Sequence, residues 1–403
     1  MASSDEVITR QCPACCSTVP AASFCGDCGA DLDAPATTWG MLLRPRVFAA
    51  APREPLPVPR ISSTLFPRLA GPARRPFGLA LALLAVAMIG LAALRANMPM
   101  GVVAVLGGPV IFVLYMWQAD AFRDIPARAL VIAALTGAGT AVAWWLSAGR
   151  LLAGSYDVTT AGGQALLNAL ASAGLTANLG GAVLMVLAPV VVRLLRIPVQ
   201  DALDGFVIGA FGTLAHMAAA TITWMMPQIA AGLLGPESSL RLFEDAITYG
   251  VIDPLISVSL GGLVGLSLWF TPNRAGPHHR NARTALTICT VAAAVLYAGV
   301  WIVDALTPPV LAAQKQEVLE LAMNLVLAVL ALLTARFGVQ IALLHGAPGP
   351  VTGRPLLCVD CEKVVPDMAF CPACGTAAQA ASSTSRRLRR ESPAVRESSP
   401  VRP

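Results

Sequence analysis

Charge is scarce in this chain. Of 403 residues, 13% are Asp, Glu, Lys or Arg and 56% are hydrophobic, whereas an ordinary soluble domain has about 25% charged and about 45–50% apolar residues. That shortage excludes a soluble globular protein as the main description. The apolar excess excludes a chain disordered throughout, because disorder needs low hydrophobicity and high net charge. A secretory signal is also missing: the first 76 residues hold no apolar h-region and carry cysteines, prolines and arginines instead. The first apolar run is therefore expected to act as its own insertion signal.

What the chain has in quantity is apolar runs of about 18–25 residues, enough to cross ~30 Å of hydrocarbon as helices. They predict an all-α polytopic membrane protein with eight spans near 77–94, 99–117, 129–148, 177–195, 205–226, 248–270, 285–305 and 319–343. The stretch 165–176 is too short to cross and is expected to be interfacial or re-entrant. Gly205-x3-Gly209 and Gly261-x3-Gly265 put small residues on one helix face, which suits close packing between spans or between protomers.

Eight of the ten cysteines form two identical patterns, Cys12-x2-Cys15-x9-Cys25-x2-Cys28 and Cys358-x2-Cys361-x9-Cys371-x2-Cys374. Each Cys-x2-Cys turn can aim two thiolates at one point, and two turns complete the four-sulfur shell that structural zinc prefers. Gly29 and Gly375 follow the second pairs, where positive φ lets the turn close. Disulfides or redox Cys-x2-Cys motifs are the alternatives, but neither explains four turns in two matched sets. The ends thus resemble short zinc ribbons of the rubredoxin-like knuckle type, implying two structural zinc ions. Cys16 reads as a spare thiol beside a ligand, and Cys289 as a small packing residue.

The expected organisation is a ribbon at 1–34, a Pro/Arg-rich linker at 35–76, a helical membrane domain at 77–344, a second ribbon at 345–376 and a disordered Ser/Arg/Pro tail at 377–403. The linker reads as extended and mobile, with docking of Ile61–Arg68 on the membrane domain as the alternative. Residues 77–344 carry 24 charges, 12 of each sign, so the formal +5 lies wholly in the tails and linkers. Two zinc-loaded four-cysteine sites lower it to about +1. Zinc thiolates need a reducing compartment, so both ends are expected in the cytoplasm, which requires an even number of spans. The cations agree: Arg123 and Arg128, Arg193 and Arg196, and Arg274, Arg280 and Arg283 fall in alternate loops, against single cations Arg95, Arg150, Arg241 and Lys315 in the others. Arg outnumbers Lys 26 to 2, which reads as codon bias of a GC-rich, actinobacterial-like genome, and the location implied is a bacterial inner membrane. In the tail, Arg386, Arg387, Arg389 and Arg390 are candidates for lipid headgroup contact. Nucleic acid is a weaker match for a tethered tail, and Ser392-Pro393 and Ser399-Pro400 are candidate phosphate acceptors.

Ionisable groups inside spans are costly and become functional candidates. His216 in the fifth span and Asp253, followed by Pro254, in the sixth could form a proton or ion site, or could be satisfied by ordinary interhelical hydrogen bonds. Asn178, Asn324 and Asp304 read as interfacial or packing residues.

The segment Ala188-Pro189 to Arg196, followed by Asp204-Gly205-x3-Gly209, resembles the membrane core of PrsW-type glutamic intramembrane proteases over about 40 residues. In that family the Ala-Pro stretch leads to Glu-Glu-x-x-Lys, and the Asp-Gly-x3-Gly helix carries a Glu-Asn pair. Here the glutamate positions are Val192 and Arg193, the lysine position is Arg196, and the Glu-Asn position falls on Ala220 and Thr221. Peptide hydrolysis needs a carboxylate to activate water, so the resemblance implies a scaffold without its catalyst. The function expected is a non-enzymatic membrane scaffold or regulator whose ribbons bind a cytoplasmic or membrane protein partner, with room for self-association. The alternatives are a degenerate or active protease of that kind, or a small-solute or ion transporter using His216 and Asp253.

Overall fold

The computed structural model describes residues 8–33, 47–155, 179–199, 201–230, 244, 247–273, 279–306, 313–347 and 351–392. Two hairpins open the chain. β1 (Thr9–Gln11) pairs antiparallel with β2 (Thr18–Pro20) around the first Cys-x2-Cys turn, and β3 (Val47–Phe48) pairs with β4 (Ala51–Pro55). The short α1 (Ile61–Thr64) leads to α2 (Arg74–Ala93), α3 (Asn97–Gln118), the single turn α4 (Ala121–Asp124) and α5 (Ala127–Ser155). Next come α6 (Leu187–Leu194), which completes an apolar helical stretch from Leu179, and α7 (Ala202–Ala230). A π-helical turn (Thr248–Ile252) precedes α8 (Asp253–Trp269), followed by α9 (His279–Leu306) and α10 (Ala313–His345). A third hairpin, β5 (Pro355–Leu357) with β6 (Val364–Pro366), frames the second Cys-rich unit, and α11 (Ser383–Arg390) ends the described chain.

Among the described residues, seven helices are long and apolar enough to cross a membrane. The eighth expected span, 177–195, corresponds to the shorter apolar helix Leu179–Leu194. The expected interfacial piece at 165–176, and Asn178, lie outside the described residues.

Burial divides the spans into a centre and a rim. The apolar windows of α7 and α8 are 61% and 67% buried inside the protein, while that of α2 is 17% and those of α3, α5, α9 and α10 are 28%. Small residues explain the central pair. A Cβ added at Gly205 or Gly209 would run into the carbonyl oxygens of Gly265 or Gly261, and one added at Gly265 would meet that of Gly205. The two Gly-x3-Gly faces therefore meet each other within one chain, and backbones approach as closely as such motifs permit. The rim helices present leucines, valines and isoleucines outward, among them Leu79, Leu83 and Val86 of α2, as lipid-facing surfaces do. At Pro254, which lacks a backbone donor and crowds the preceding turn, the helix widens locally over Thr248–Ile252.

Long-range contacts fix which helix ends share a face. Arg68, ahead of α2, pairs with Asp204 at the start of α7. Arg193 near the end of α6 lies 5.6 Å from the ring centre of Trp269, the last residue of α8. Asn273 and Ala347 donate to His345 and Thr271, joining the ends of α8 and α10. The starts of α2 and α7 and the ends of α6, α8 and α10 thus lie on the side that carries both Cys-rich units.

On this side the structure differs from two sequence expectations. Residues 47–76 are not an extended connector: Phe48, Leu56, Leu65, Phe66 and Leu69 are buried against the spans, so apolar residues scattered among the prolines supply enough contact to order the segment. The tail is not disordered over 378–390: a 3-10 turn (Ala378–Ala380) and α11 fold back on the second Cys-rich unit.

Candidate metal centre and its seat on the membrane domain

Each cysteine quartet closes around one point. The Sγ atoms of Cys12 and Cys28 are 3.7 Å apart, as are those of Cys15 and Cys25. In the second unit Cys358 and Cys374 are 3.7 Å apart, and Cys361 and Cys371 are 4.0 Å apart. A tetrahedron with metal–sulfur bonds of ~2.3 Å has edges of ~3.8 Å, so the donors already have the spacing of a four-sulfur zinc shell. None of the ten cysteines is joined in a disulfide, which removes the disulfide alternative from this structure. Each quartet can hold one metal ion.

The turns that aim the thiols share one backbone solution. Gly29 (φ 71°) and Gly375 (φ 77°) donate to Cys25 and Cys371, closing the second knuckle of each unit. Cys16 (φ 61°) and Glu362 (φ 56°) occupy the equivalent left-handed position in the first knuckles. The spare thiol Cys16 is thus a turn residue and points outward, exposed. Hydrogen bonds among the sulfurs bring one thiol in each quartet well below its ordinary range. Cys25 is lowered to about 5, chiefly by Cys28, and Cys358 to about 2, by Cys371 and then Cys374. A thiolate is the form that ligates metal.

The two units pack together about a local pseudo-two-fold axis. Phe24 N–H donates to the Pro372 carbonyl at 3.0 Å, and its counterpart Phe370 N–H donates to the Gly26 carbonyl at 2.8 Å. The Phe24 ring lies over Gly375 and the Phe370 ring over Gly29. Each knuckle glycine is therefore covered by the other unit's aromatic ring, and any added Cβ there would strike it.

The second unit is seated on the membrane domain. Asp360, inside the Cys358-x2-Cys361 knuckle, pairs with Arg74 at the head of α2 at 2.9 Å, and the same guanidinium donates to the Ala50 carbonyl. Ala377 N–H donates to the Ala49 carbonyl. Helix α11 straps the outside: Arg386 and Arg390 both bind Asp367, and Arg389 donates to the carbonyl of Cys358 at 3.2 Å. Burial alone would raise the Asp367 carboxyl, but hydrogen bonds from Arg386 and Thr352 outweigh it and hold it below its ordinary value. Asp124, between α3 and α5, accepts from the Ser383 and Thr384 amides and the Thr384 hydroxyl, capping the helix from the membrane side. Of the four tail arginines, Arg387 alone is exposed, and the other three contact the second Cys-rich unit.

Beneath the seat are two buried ion clusters that the sequence reading did not single out. Arg336, fully buried near the end of α10, donates to Glu54, Ser63, Thr64 and the carbonyls of Pro55 and Leu56, and its guanidinium lies 4.0 Å from the ring centre of Phe48. One turn on, Gln340 binds the Ala49 amide and the Val47 carbonyl. Arg68 joins Asp204 and Asp201 and donates its amide to the Tyr115 hydroxyl. Burial disfavours its charge, yet Asp204 chiefly holds its pKa above the ordinary value. Burial likewise pushes Asp201 up.

The two intramembrane candidates have different described neighbours. His216 on α7 is buried with Nδ1 3.3 Å from the Thr140 hydroxyl of α5. Asp253 is buried at the head of α8, in electrostatic reach of Tyr297 on α9. Asn324 is buried on α10, and the side chain of Asp304 is outside the described residues. At the positions resembling the protease motif, Val192 is buried, Arg193 stacks on Trp269, and Thr221 bonds its own helix. The Asp204 carboxylate is taken by Arg68. No family model, curated protein or solved structure matches the chain.

Proposed function

We propose that this is a non-enzymatic multi-pass protein of a bacterial inner membrane, with both ends cytoplasmic and two zinc ions building a rigid platform on the inner face. The observation that carries the reading is the reciprocal contact of the two Cys-rich units and the clamp through Asp360 and Arg74: the cysteine knuckles contact each other and the first span. Zinc is favoured by the sulfur spacing and by an all-thiolate donor set. The inward orientation rests on reducing chemistry and on the cations. Arg68, Arg74, Arg75, Arg193 and Arg196 lie at the ribbon-side helix ends, whereas Arg95 lies at the opposite end of α2.

Such a cap is a scaffold for a cytoplasmic or membrane protein partner. The Phe24 and Phe370 faces are consumed in the ribbon pair, so the partner is met by the outer surfaces of the cap, whose shape depends on zinc. Proximity labelling in native membranes, comparing the natural chain with Cys12→Ser/Cys358→Ser, tests this. The expected result is loss of the labelled partner with membrane insertion unchanged. An unchanged partner profile with both ribbons disrupted would overturn it.

A further inference from the structure

We propose that the groove between α2 and α3 on the ribbon side is a binding site for one anionic phospholipid of the inner leaflet. The inner-leaflet assignment rests on the orientation given above, but the existence of the site does not. A groove of ≈ 520 Å³ is lined by Pro76, Phe77, Ala80, Ile111, Leu114, Trp117, Gln118 and Asp120. Its wall is apolar where it runs along the spans and polar only at the mouth, the division an acyl chain with a headgroup requires. It opens on the two helices that end in the least protected part of the bundle, α2 being 17% buried, so lipid is the solvent it faces.

The mouth sits at the depth of the headgroups. Trp117 is 74% exposed there, and tryptophan concentrates at membrane interfaces, where an amphipathic ring is half wet. The charge at the mouth selects the lipid. Arg75, next to Pro76, is exposed. Arg123, 62% exposed, lies 3.8 Å from the groove residue Asp120. Arg74 is already committed to Asp360. Asp120 offsets one of the two exposed guanidinium groups, and the oxygens of the neighbouring Asp124 are taken by the Ser383 and Thr384 N–H groups and the Thr384 hydroxyl at the head of α11, so guanidinium is the group left open at the mouth. A phosphodiester with a neutral glycerol headgroup complements it, and a zwitterionic headgroup does not. Arginine also binds phosphate oxygens through two parallel N–H bonds. The site adjoins the cap: Asp124, the residue after Arg123, is the one that caps α11.

Native mass spectrometry of the delipidated full-length chain, titrated with phosphatidylglycerol or phosphatidylcholine, tests the proposal. The first phosphatidylglycerol should bind at least tenfold more tightly than phosphatidylcholine. Arg75→Gln/Arg123→Gln should weaken it about thirtyfold, the loss of two headgroup-facing cations. Arg128→Gln, an exposed cation away from the groove, should leave it unchanged. Ala80→Trp, which fills the groove and keeps both arginines, should block the same first site. Two bound zinc ions per variant verify that the cap stays folded. Equal affinity for the two lipids, or undiminished phosphatidylglycerol binding in the double arginine variant or in Ala80→Trp, would overturn it. These readouts do not involve a protein partner, so they fail or succeed independently of the scaffold role.

Discussion

Removing the Glu54 carboxylate should unseat the β3–β4 hairpin from α10. Arg336 has 0% side-chain exposure and Glu54 9%, and their charged atoms are 3.2 Å apart. In Glu54→Gln, the guanidinium keeps neutral acceptors at Leu56, Ser63 and Thr64 but loses its only buried counter-ion among the contacts described. Breaking one side of a buried ion pair costs about 3–5 kcal/mol. The low end applies here, since those neutral acceptors and the Phe48 ring remain. A loss of ~3 kcal/mol corresponds to a roughly hundredfold rise in the open population. Hydrogen exchange read by mass spectrometry on peptides spanning 47–56 measures it, because the Ala49 amide is held by Gln340 at 2.8 Å. Exchange should accelerate about a hundredfold in Glu54→Gln. In Glu54→Gln/Arg336→Met it should largely recover, because no charge is left buried and the methionine packs on Phe48. Unchanged exchange in the single variant, or equally fast exchange in the double variant, would refute the reasoning.

Three further outcomes follow from the cap. Gly375→Ala forces a Cβ to 2.8 Å from the Phe24 ring at φ 77°, and a left-handed alanine costs ~1–2 kcal/mol. Competition with a chelator should show the second zinc bound about tenfold more weakly, and the equivalent Gly29→Ala should do the same to the first. Asp124→Ala leaves the Ser382 N-cap in place but removes the carboxylate that accepts from the Ser383 and Thr384 amides, worth ~1 kcal/mol, so exchange in 383–390 should quicken about fivefold, and no change would contradict that role. The Asp367 carboxyl is held below its ordinary value of 3.8, so its contribution is complete above that value and is lost as pH falls through the lowered one. Tryptic cleavage at Arg387 should therefore be equally slow at pH 7 and pH 8, whereas Asp367→Asn, which mimics the protonated acid, should be cut quickly at both. Equally slow cleavage of that variant would contradict the strap.

The cysteine quartets and the helices were legible because their signals are local. Two ligands on one turn, or some twenty apolar residues in a row, dictate their own structure. The Gly-x3-Gly faces were legible as close-packing surfaces, and only the partner helix was missing. What could not be read is what the ends do in space. Phe24 and Phe370 each stand directly before the third cysteine of their unit, a repeat within the repeat, yet nothing local says that the two rings exchange places. The segment 47–69 looked like a linker because its prolines and arginines mask a spaced apolar set, and Arg68 is buried only because Asp204, 136 residues away, receives it. Arg336 stands in the sequence as one cation in a long apolar helix. It is costly at that depth, and that cost was the signal that a partner such as Glu54 had to exist. The tail arginines have the composition of a headgroup contact, but Asp367, a buried acid in the second Cys-rich unit, takes two of them.

The central claim is that metal holds the two ends of the chain together on one face of the membrane domain. A photo-reactive phenylalanine analogue placed at position 24 of the full chain in native membranes tests it most directly. With zinc bound, irradiation should give one dominant intrachain cross-link to residues 371–376, and chelation should abolish it while the spans stay inserted. Cross-links scattered over other proteins or lipids with zinc bound, or an intrachain link that survives complete zinc removal, would contradict the account.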